Sequence, residues 1–300
     1  MNLLITGAWN ATEDERAALE ALGFRLFFLQ NERDALPVDP GEIDAVVCNG
    51  LFLYHPIGAF TRLRLIQLTS AGLDRVPLDE IRARGIALCS AAGVYSVPMA
   101  EFALSGVLDL CKDKVAFRKS QEAHRWEKRR DLLELYGKRV LIVGCGSVGR
   151  ACAERFRAFG CLLDGVDAAA IDSPLFGEVY PVGKLAGILP AYDVVLLSLP
   201  LTRETENLFG GRLFARMKDG AIFVNLARGR LVDPEALFAN LPRLRGAVLD
   251  VFPEEPLDPA SPLWDEEKII LTPHVSFIGD GNPARLGRLI YQNLKGFVSK

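Results

Sequence analysis

Lys138-Arg139-Val140-Leu141-Ile142-Val143-Gly144-Cys145-Gly146-Ser147-Val148-Gly149, followed by Leu162-Leu163-Asp164-Gly165-Val166-Asp167, is the stretch that decides the fold. Val140 to Val143 form a short apolar run suited to a buried parallel strand. Gly144, Gly146 and Gly149 come next, at G-x-G-x-x-G spacing. From Ser147 the apolar period becomes helical, with Val148, Cys152 and Phe156 at steps of four and Gly160 as the stop. A second apolar run, Cys161 to Val166, ends in an acid at Asp167. Each part suits a dinucleotide. Gly144 permits a tight turn, Gly146 lets the backbone approach a pyrophosphate, and Gly149 lets the helix pack closely on the strand. The free N–H groups at the helix start then receive phosphates. Asp167, 18 residues past Gly149, stands where a carboxylate can accept both hydroxyls of the adenosine ribose. A glycine triplet alone is weak evidence; strand, helix, second strand and terminal acid in order predict dinucleotide binding.

Composition sets the frame around this unit. Three hundred residues, half of them hydrophobic, are enough for two domains with sizeable cores. A net charge of −3 gives no electrostatic footprint for nucleic acid or an anionic membrane. No apolar stretch approaches the roughly 20 residues of a membrane span. The N-terminus enters a strand directly, without a basic segment and long apolar run, so a cytoplasmic location is expected. The six cysteines include no C-x-x-C pair, which predicts reduced thiols and no metal centre built on them.

Taken in order, the chain alternates strands and helices. Strands are expected at Asn2–Thr6, Phe24–Leu29, Ile43–Cys48, Leu65–Leu68 and Ile86–Cys89, with helices at Glu13–Leu22 and Leu78–Arg84. This first unit has no glycine-rich phosphate loop. It does carry Ser70-Ala71-Gly72-Leu73-Asp74 immediately after a strand, where small residues leave backbone N–H groups accessible at the carboxyl edge of a sheet. Ser96 to about Lys119 reads as one long helix, with Ser96 as N-cap and Pro98 in the first turn. The glycine-rich unit continues through strands at Asp193–Leu199, Ala221–Val224, Ala247–Val251 and Ile269–Leu271, about six strands in all. Helices are expected at Arg212–Met217 and Pro234–Leu241. Pro283–Val298 closes the chain as an amphipathic helix, after a loop, Phe277 to Pro283, fit to be a hinge or crossover.

Three residue groups follow the later strands: Asn225 to Arg230, Asp250 to Leu257, and Thr272 to Ser276. An open α/β sheet binds its ligands at such strand ends. An arginine there (Arg228) can hold a planar carboxylate bidentately and polarise an adjacent carbonyl. A histidine (His274) can give or take a hydroxyl proton, and a carboxylate (Glu255) can fix its tautomer. Beside a nicotinamide, these are the groups needed to interconvert a 2-oxo acid and a 2-hydroxy acid. His55 and His124 lack a comparable setting and read as structural or surface residues.

With these residues in hand, the chain resembles the D-isomer-specific 2-hydroxyacid dehydrogenases over nearly its whole length. The resemblance rests on Ser70 to Asp74, Ala100-Glu101-Phe102-Ala103, Gly144 to Gly149, Asn225 to Gly229, Leu249 to Phe252 with Glu255-Pro256-Leu257, and Thr272-Pro273-His274. It implies an α/β fold of two Rossmann-like doubly wound parallel-sheet domains, the cofactor domain inserted into a discontinuous substrate domain. A flavodoxin-like substrate-binding domain would span 1–94 and 280–300, and an NAD-binding domain 95–279. Arg228, Glu255 and His274 would be catalytic, as substrate arginine, carboxylate partner and general acid/base. Cofactor contacts would come from Gly144, Gly146, Ser147, Val148, Gly149, Asp167, Leu199, Pro200, Thr205, Ala227, Arg228, Asp250 and His274, with Asp250 holding the nicotinamide carboxamide. Substrate contacts would come from Ser70, Ala71, Gly72, Leu73 and Arg228, with the backbone of Ala71 to Leu73 receiving the substrate carboxylate.

Asp167, followed by Ala168 and no basic residue, would repel a 2′-phosphate and so favour NAD(H) over NADP(H). The implied reaction moves a hydride between NAD(H) and a small 2-oxo or D-2-hydroxy acid of the glyoxylate or hydroxypyruvate type. The alternative is an NAD(H)-sensing binding protein like the corepressors that share this fold. A homodimer is implied, with Ser96 to Glu134 as its interface, and no membrane or nucleic-acid partner. The length leaves no room for the regulatory domain of long phosphoglycerate dehydrogenases, and Glu255 stands where formate dehydrogenases carry glutamine. Pro98-Met99 departs from the family's small or β-branched residues. Phe52, Leu53 and Tyr54 fit either the core or a wall of the substrate pocket.

Overall fold

The short apolar runs of the sequence become the strands of two sheets, every strand pair of which is parallel. The structure is a computed structural model that describes residues 1–299. It divides into two units, one formed by Met1–Tyr95 with the segment from Gly279 onward, the other by Ser96–Ile278.

In the first unit, β1 (Asn2–Thr6), β2 (Arg25–Leu29), β3 (Ala45–Cys48), β4 (Leu65–Leu68) and β5 (Ala87–Cys89) lie in the order β2-β1-β3-β4-β5. Alternate side chains feed two cores, as the period of two requires. Leu3, Ile5, Ala45, Val47 and Leu65 enter one, and Leu4, Val46, Cys48, Ile66 and Leu68 the other. Helix Glu13–Ala21, opened by a Thr12/Glu15 capping box, and helix Asn282–Val298 cover the first of these cores. The latter helix contributes Leu286, Ile290 and Leu294, at steps of four, and its Asn293 donates to Gln67 of β4 at 2.7 Å. The last helix therefore belongs to the N-terminal sheet, although the whole second unit separates the two in sequence.

The second unit holds β6 (Arg139–Val143), β7 (Leu162–Asp167), β8 (Val179–Pro181), β9 (Val194–Leu197), β10 (Ile222–Asn225), β11 (Gly246–Leu249) and β12 (Ile269–Leu271). Their order is β12-β11-β10-β9-β6-β7-β8, the doubly wound arrangement with one strand added. Winding reverses between β6 and β9, the switch point at which such sheets bind ligands. The register is flush across six strands: Val166 pairs with Val143, Val143 with Leu197, Leu197 with Asn225, Asn225 with Leu249, and Leu249 with Leu271. The loops that begin at Gly144, Ser198, Leu226, Asp250 and Thr272 thus leave the sheet from one line, and Asp167 ends β7 beside them.

Three features depart from the sequence reading. The sheet has seven strands where about six are expected, because β8 is a three-residue edge strand with no apolar run to announce it. The long helix from Ser96 is two helices, Ser96–Cys111 and Lys114–Glu122. The break is at Asp113, whose φ of +49° is a left-handed conformation that aspartate tolerates better than most residues. Ser96 is the first helical residue and not a cap; its hydroxyl is buried and makes no hydrogen bond. Elsewhere strand and helix ends shift by a residue or two, and the helix at Arg212–Met217 shortens to Gly211–Phe214. Among the described residues, no helix is long and apolar enough to cross a membrane.

If the last helix is part of the first unit's core, truncating its most buried residue must weaken that unit. Ile290 is fully buried, so Ile290→Ala should lower unfolding stability by about 2–5 kcal/mol. Chemical denaturation followed by fluorescence reads this, since Trp9 is buried in the same core. A loss under about 1 kcal/mol would contradict the assignment.

Candidate active site

The glycine loop is shaped by backbone that comes very close. Gly144 has a φ of +101°, and a Cβ there would lie 2.6 Å from the Leu199 nitrogen. A Cβ on Gly149 would lie 2.1 Å from the Gly144 oxygen, so the helix Ser147–Ala158 can rest on β6 only without one. Ser198 closes the same spot, its hydroxyl donating to the Gly144 oxygen at 2.6 Å. Gly146 is different: a Cβ there would meet nothing, and this open space lies directly at the helix N-terminus. The arrangement fits a pyrophosphate, with open backbone where it would approach and unpaired helix N–H groups to receive it.

Asp167 ends β7, half-buried, and is already oriented. Its Oδ2 accepts the Cys145 N–H at 2.8 Å and its Oδ1 the Ala169 N–H at 3.0 Å. The acid is tied to the glycine loop through the residue between the first two glycines. Cys145 itself is no reactive thiol. Burial, and then the neighbouring Asp167 charge, push its pKa up to about 12. Leu199 is buried in the core, Pro200 is exposed, and the Thr205 hydroxyl donates to the Pro200 oxygen at 2.8 Å, bracing that turn.

The Arg228 loop is set by its neighbours on both sides. Asn225, the last residue of β10, accepts from the Ala227 N–H at 3.1 Å and donates to the Arg228 oxygen at 2.9 Å. Gly229 passes so close to the Phe252–Pro253 backbone that a Cβ would lie 1.9 Å from the Phe252 carbonyl carbon. The Arg228 and Glu255 loops are thereby locked together. Arg228 is half-buried, with Nη1 donating to the Ala227 oxygen at 2.7 Å.

Glu255 and His274 meet directly. Glu255 accepts the Phe252 N–H at 3.0 Å through Oε1, and its Oε2 stands 2.7 Å from His274 Nδ1. The ring also packs edge-on against Phe277, centroids 5.9 Å apart. An ionised carboxylate can only accept, so Nδ1 carries the proton and Nε2 is left for exchange. His274 sits at a φ of +52°, a region that non-glycine residues seldom occupy. Asp250 holds the loop there. It is fully buried, and its carboxylate accepts the Thr272 hydroxyl at 2.6 Å, the Val275 N–H at 2.9 Å and the Ser276 N–H at 2.8 Å.

The predicted residues of the second unit are thus carried by loops that start on one line. In the first unit, Ser70 follows β4 and its hydroxyl donates to the Gly72 oxygen at 3.0 Å, turning the loop that exposes Ala71 and Leu73. Phe52 packs edge-on against buried Phe60, while Leu53 and Tyr54 are exposed. His55 contacts the Glu32 backbone oxygen at 2.9 Å and His124 is exposed. The residues that sequence reasoning gave no role are Asn225, Ser198, Thr272 and Ser276. For Asn225 the signal was an amide at a strand end, ready to bond its own loop; the others had none.

This is a dinucleotide-binding fold with a histidine–carboxylate pair at the strand ends. The model of the D-isomer specific 2-hydroxyacid dehydrogenase NAD binding domain matches residues 104–276. A glyoxylate reductase of Korarchaeum cryptofilum is 31% identical over 80% of this chain and 74% of its own length. An (S)-sulfolactate dehydrogenase of Chromohalobacter salexigens is 32% identical over 80% and 79%. A crystal structure of a D-isomer specific 2-hydroxyacid dehydrogenase family protein from Aeromonas salmonicida is similar at a TM-score of 0.84 and 30% identity, covering 99% of this chain and 95% of that one. A D-isomer specific 2-hydroxyacid dehydrogenase from Xanthobacter autotrophicus, in complex with NADPH and MES, is similar at 0.79 and 27%, with the same coverage. The chain belongs to the D-isomer specific 2-hydroxyacid dehydrogenase family and carries that family's NAD binding domain.

Proposed function

We propose that this chain reduces small 2-oxo acids to D-2-hydroxy acids with NADH, and runs the reverse reaction with NAD. The observation that carries the proposal is the 2.7 Å contact between His274 Nδ1 and Glu255 Oε2, the Glu255 loop being next in line to that of Arg228 and the His274 loop the one after. The relatives named glyoxylate reductase support a small substrate. Nicotinamide, when bound, supplies or takes the hydride.

The rest is the work of the chain's own groups. The helix N-terminus at Ser147 and Val148, with Gly144, Gly146 and Gly149, would hold the pyrophosphate, and Asp167 the adenosine ribose. Leu199, Pro200, Thr205 and Ala227 would complete the cofactor contacts. The Asp167 carboxylate, already oriented by two N–H donors, would repel a 2′-phosphate and so favours NAD(H) over NADP(H). Arg228 would bind the substrate carboxylate and polarise the C2 carbonyl. His274 would donate the Nε2 proton to the developing alkoxide, with Glu255 stabilising the charged ring that the oxidative direction forms. From the first unit, Ser70 and the backbone of Ala71, Gly72 and Leu73 are proposed as substrate contacts.

A panel of glyoxylate, hydroxypyruvate, pyruvate, phenylpyruvate and 2-oxoisocaproate, each with NADH and NADPH, tests this. Wild type should turn over at least one with NADH, and at least about tenfold less efficiently with NADPH. His274→Ala should lose about 10²–10⁴-fold in kcat, and Glu255→Gln should fall in the same direction by a smaller factor. Turnover of none of the five acids would contradict the proposal, as would a His274→Ala protein as active as wild type.

We also propose a homodimer through Ser96 to Glu134. In its support, residues 121–132 are exposed without a break, and Trp126 is 95% exposed beside a cavity of about 740 Å³. An indole left in water is unusual for a lone chain. Light scattering should give twice the chain mass of 32.9 kDa for wild type and a shift toward one chain for Trp126→Glu. A monomeric wild type would contradict it.

A further inference from the structure

We propose that Asp250 is a positioning residue for His274, acting through the backbone of the loop that carries it. The proposal rests on the reading of His274 as the proton donor and assigns Asp250 a role additional to any contact with the cofactor. A fully buried carboxylate is costly unless its oxygens are satisfied, and here the donors that satisfy them come from one loop. Oδ1 takes the Thr272 hydroxyl and the Val275 N–H, and Oδ2 takes the Ser276 N–H. The main-chain oxygen of the same residue takes the His274 N–H at 2.8 Å, and its main-chain N–H donates to the Asn225 oxygen at 3.1 Å. Asp250 is therefore tied to the end of β10 on one side of its own strand and to the His274 loop on the other.

His274 lies between the residues so bound, in a left-handed conformation with φ +52°. A side chain seldom adopts that conformation unless its surroundings impose it. Bonds at positions 272, 274, 275 and 276 impose it, and they set where the ring emerges. Glu255 then fixes the ring's tautomer from the side. The two carboxylates have separate roles, Asp250 placing the backbone and Glu255 orienting the imidazole.

Asp250→Asn keeps the size of the side chain but turns one acceptor into a donor. One of the loop's three donors then faces an amide N–H, and the loop must shift. Thr272→Val is the milder probe, removing one donor without touching Asp250. The chain has three histidines, so isotope-labelled histidine gives three ring signals, and His274→Ala assigns that of His274. In ligand-free protein, Asp250→Asn should move the His274 signal and leave those of His55 and His124 in place. At saturating NADH its kcat should fall about 10²-fold, the scale of a misplaced acid, whatever the change in NADH Kd. Thr272→Val should move the same signal and lose about tenfold, the worth of one bond to a charged acceptor.

An unmoved His274 signal in both variants would overturn the proposal. So would an unchanged kcat at saturating NADH with a raised NADH Kd, which would make Asp250 a cofactor contact alone. Should Asp250→Asn fail to fold, Thr272→Val decides by the same readouts. If wild type turns over no 2-oxo acid, the functional reading fails, while the ring signals still decide this inference.

Discussion

Six parallel strands of the second unit end within one residue of a common row, and the candidate site follows from that register. Val166, Val143, Leu197, Asn225, Leu249 and Leu271 form one row across the sheet, each paired with the next. The residue after each begins a loop at Gly144, Ser198, Leu226, Asp250 and Thr272, and in β7 it is Asp167, the last residue of the strand. A slip of one residue in any pairing would turn every apolar side chain of that strand to the opposite face. Both faces of this sheet are cores, with Leu141, Val143, Val195 and Leu197 on one and Val140, Ile142, Val194 and Leu196 on the other. Burial on both sides therefore fixes the register, and the register aligns the loops.

Within that line, function depends on contacts too tight for side chains. Gly144, Gly149 and Gly229 each stand where a Cβ would meet backbone at 2.6 Å or less. The first two seat the helix N-terminus against β6 and the β9 loop; the third seats the Arg228 loop against that of Glu255. Around these contacts, Asn225 and Ser198 bond to backbone, and Asp250 and Glu255 to both backbone and side chains. The site is built mainly by polar groups holding loops, and Arg228 and the His274 imidazole are the groups suited to chemistry.

Legibility in the sequence followed burial. The runs Val140–Val143, Asp193–Leu199 and Ile269–Leu271 were readable because strands buried on both faces are almost wholly apolar. The glycine spacing was readable because the backbone of that turn requires it. The edge strand β8 was not, since Val179–Pro181 buries little and pairs on one side only. Nor was the helix break at Asp113, where a left-handed residue lies in a polar sequence that continues at helical period. Arg228, Glu255 and His274 could be named from their loops, but the φ of His274 and its anchoring by Asp250 could not. Those depend on backbone donors supplied by a neighbouring strand's loop, which no local pattern records.

Central to the proposed reaction is a hydride that would pass between a nicotinamide and C2 of a 2-oxo acid while His274 would supply the proton. Following the deuterium of NADH labelled at C4 tests this most directly, with hydroxypyruvate or another acid that the enzyme accepts. One face of the nicotinamide should deliver its deuterium to C2 of the D-hydroxy acid, and the hydroxyl proton should come from solvent. An L product, or a product without deuterium at C2, would contradict it.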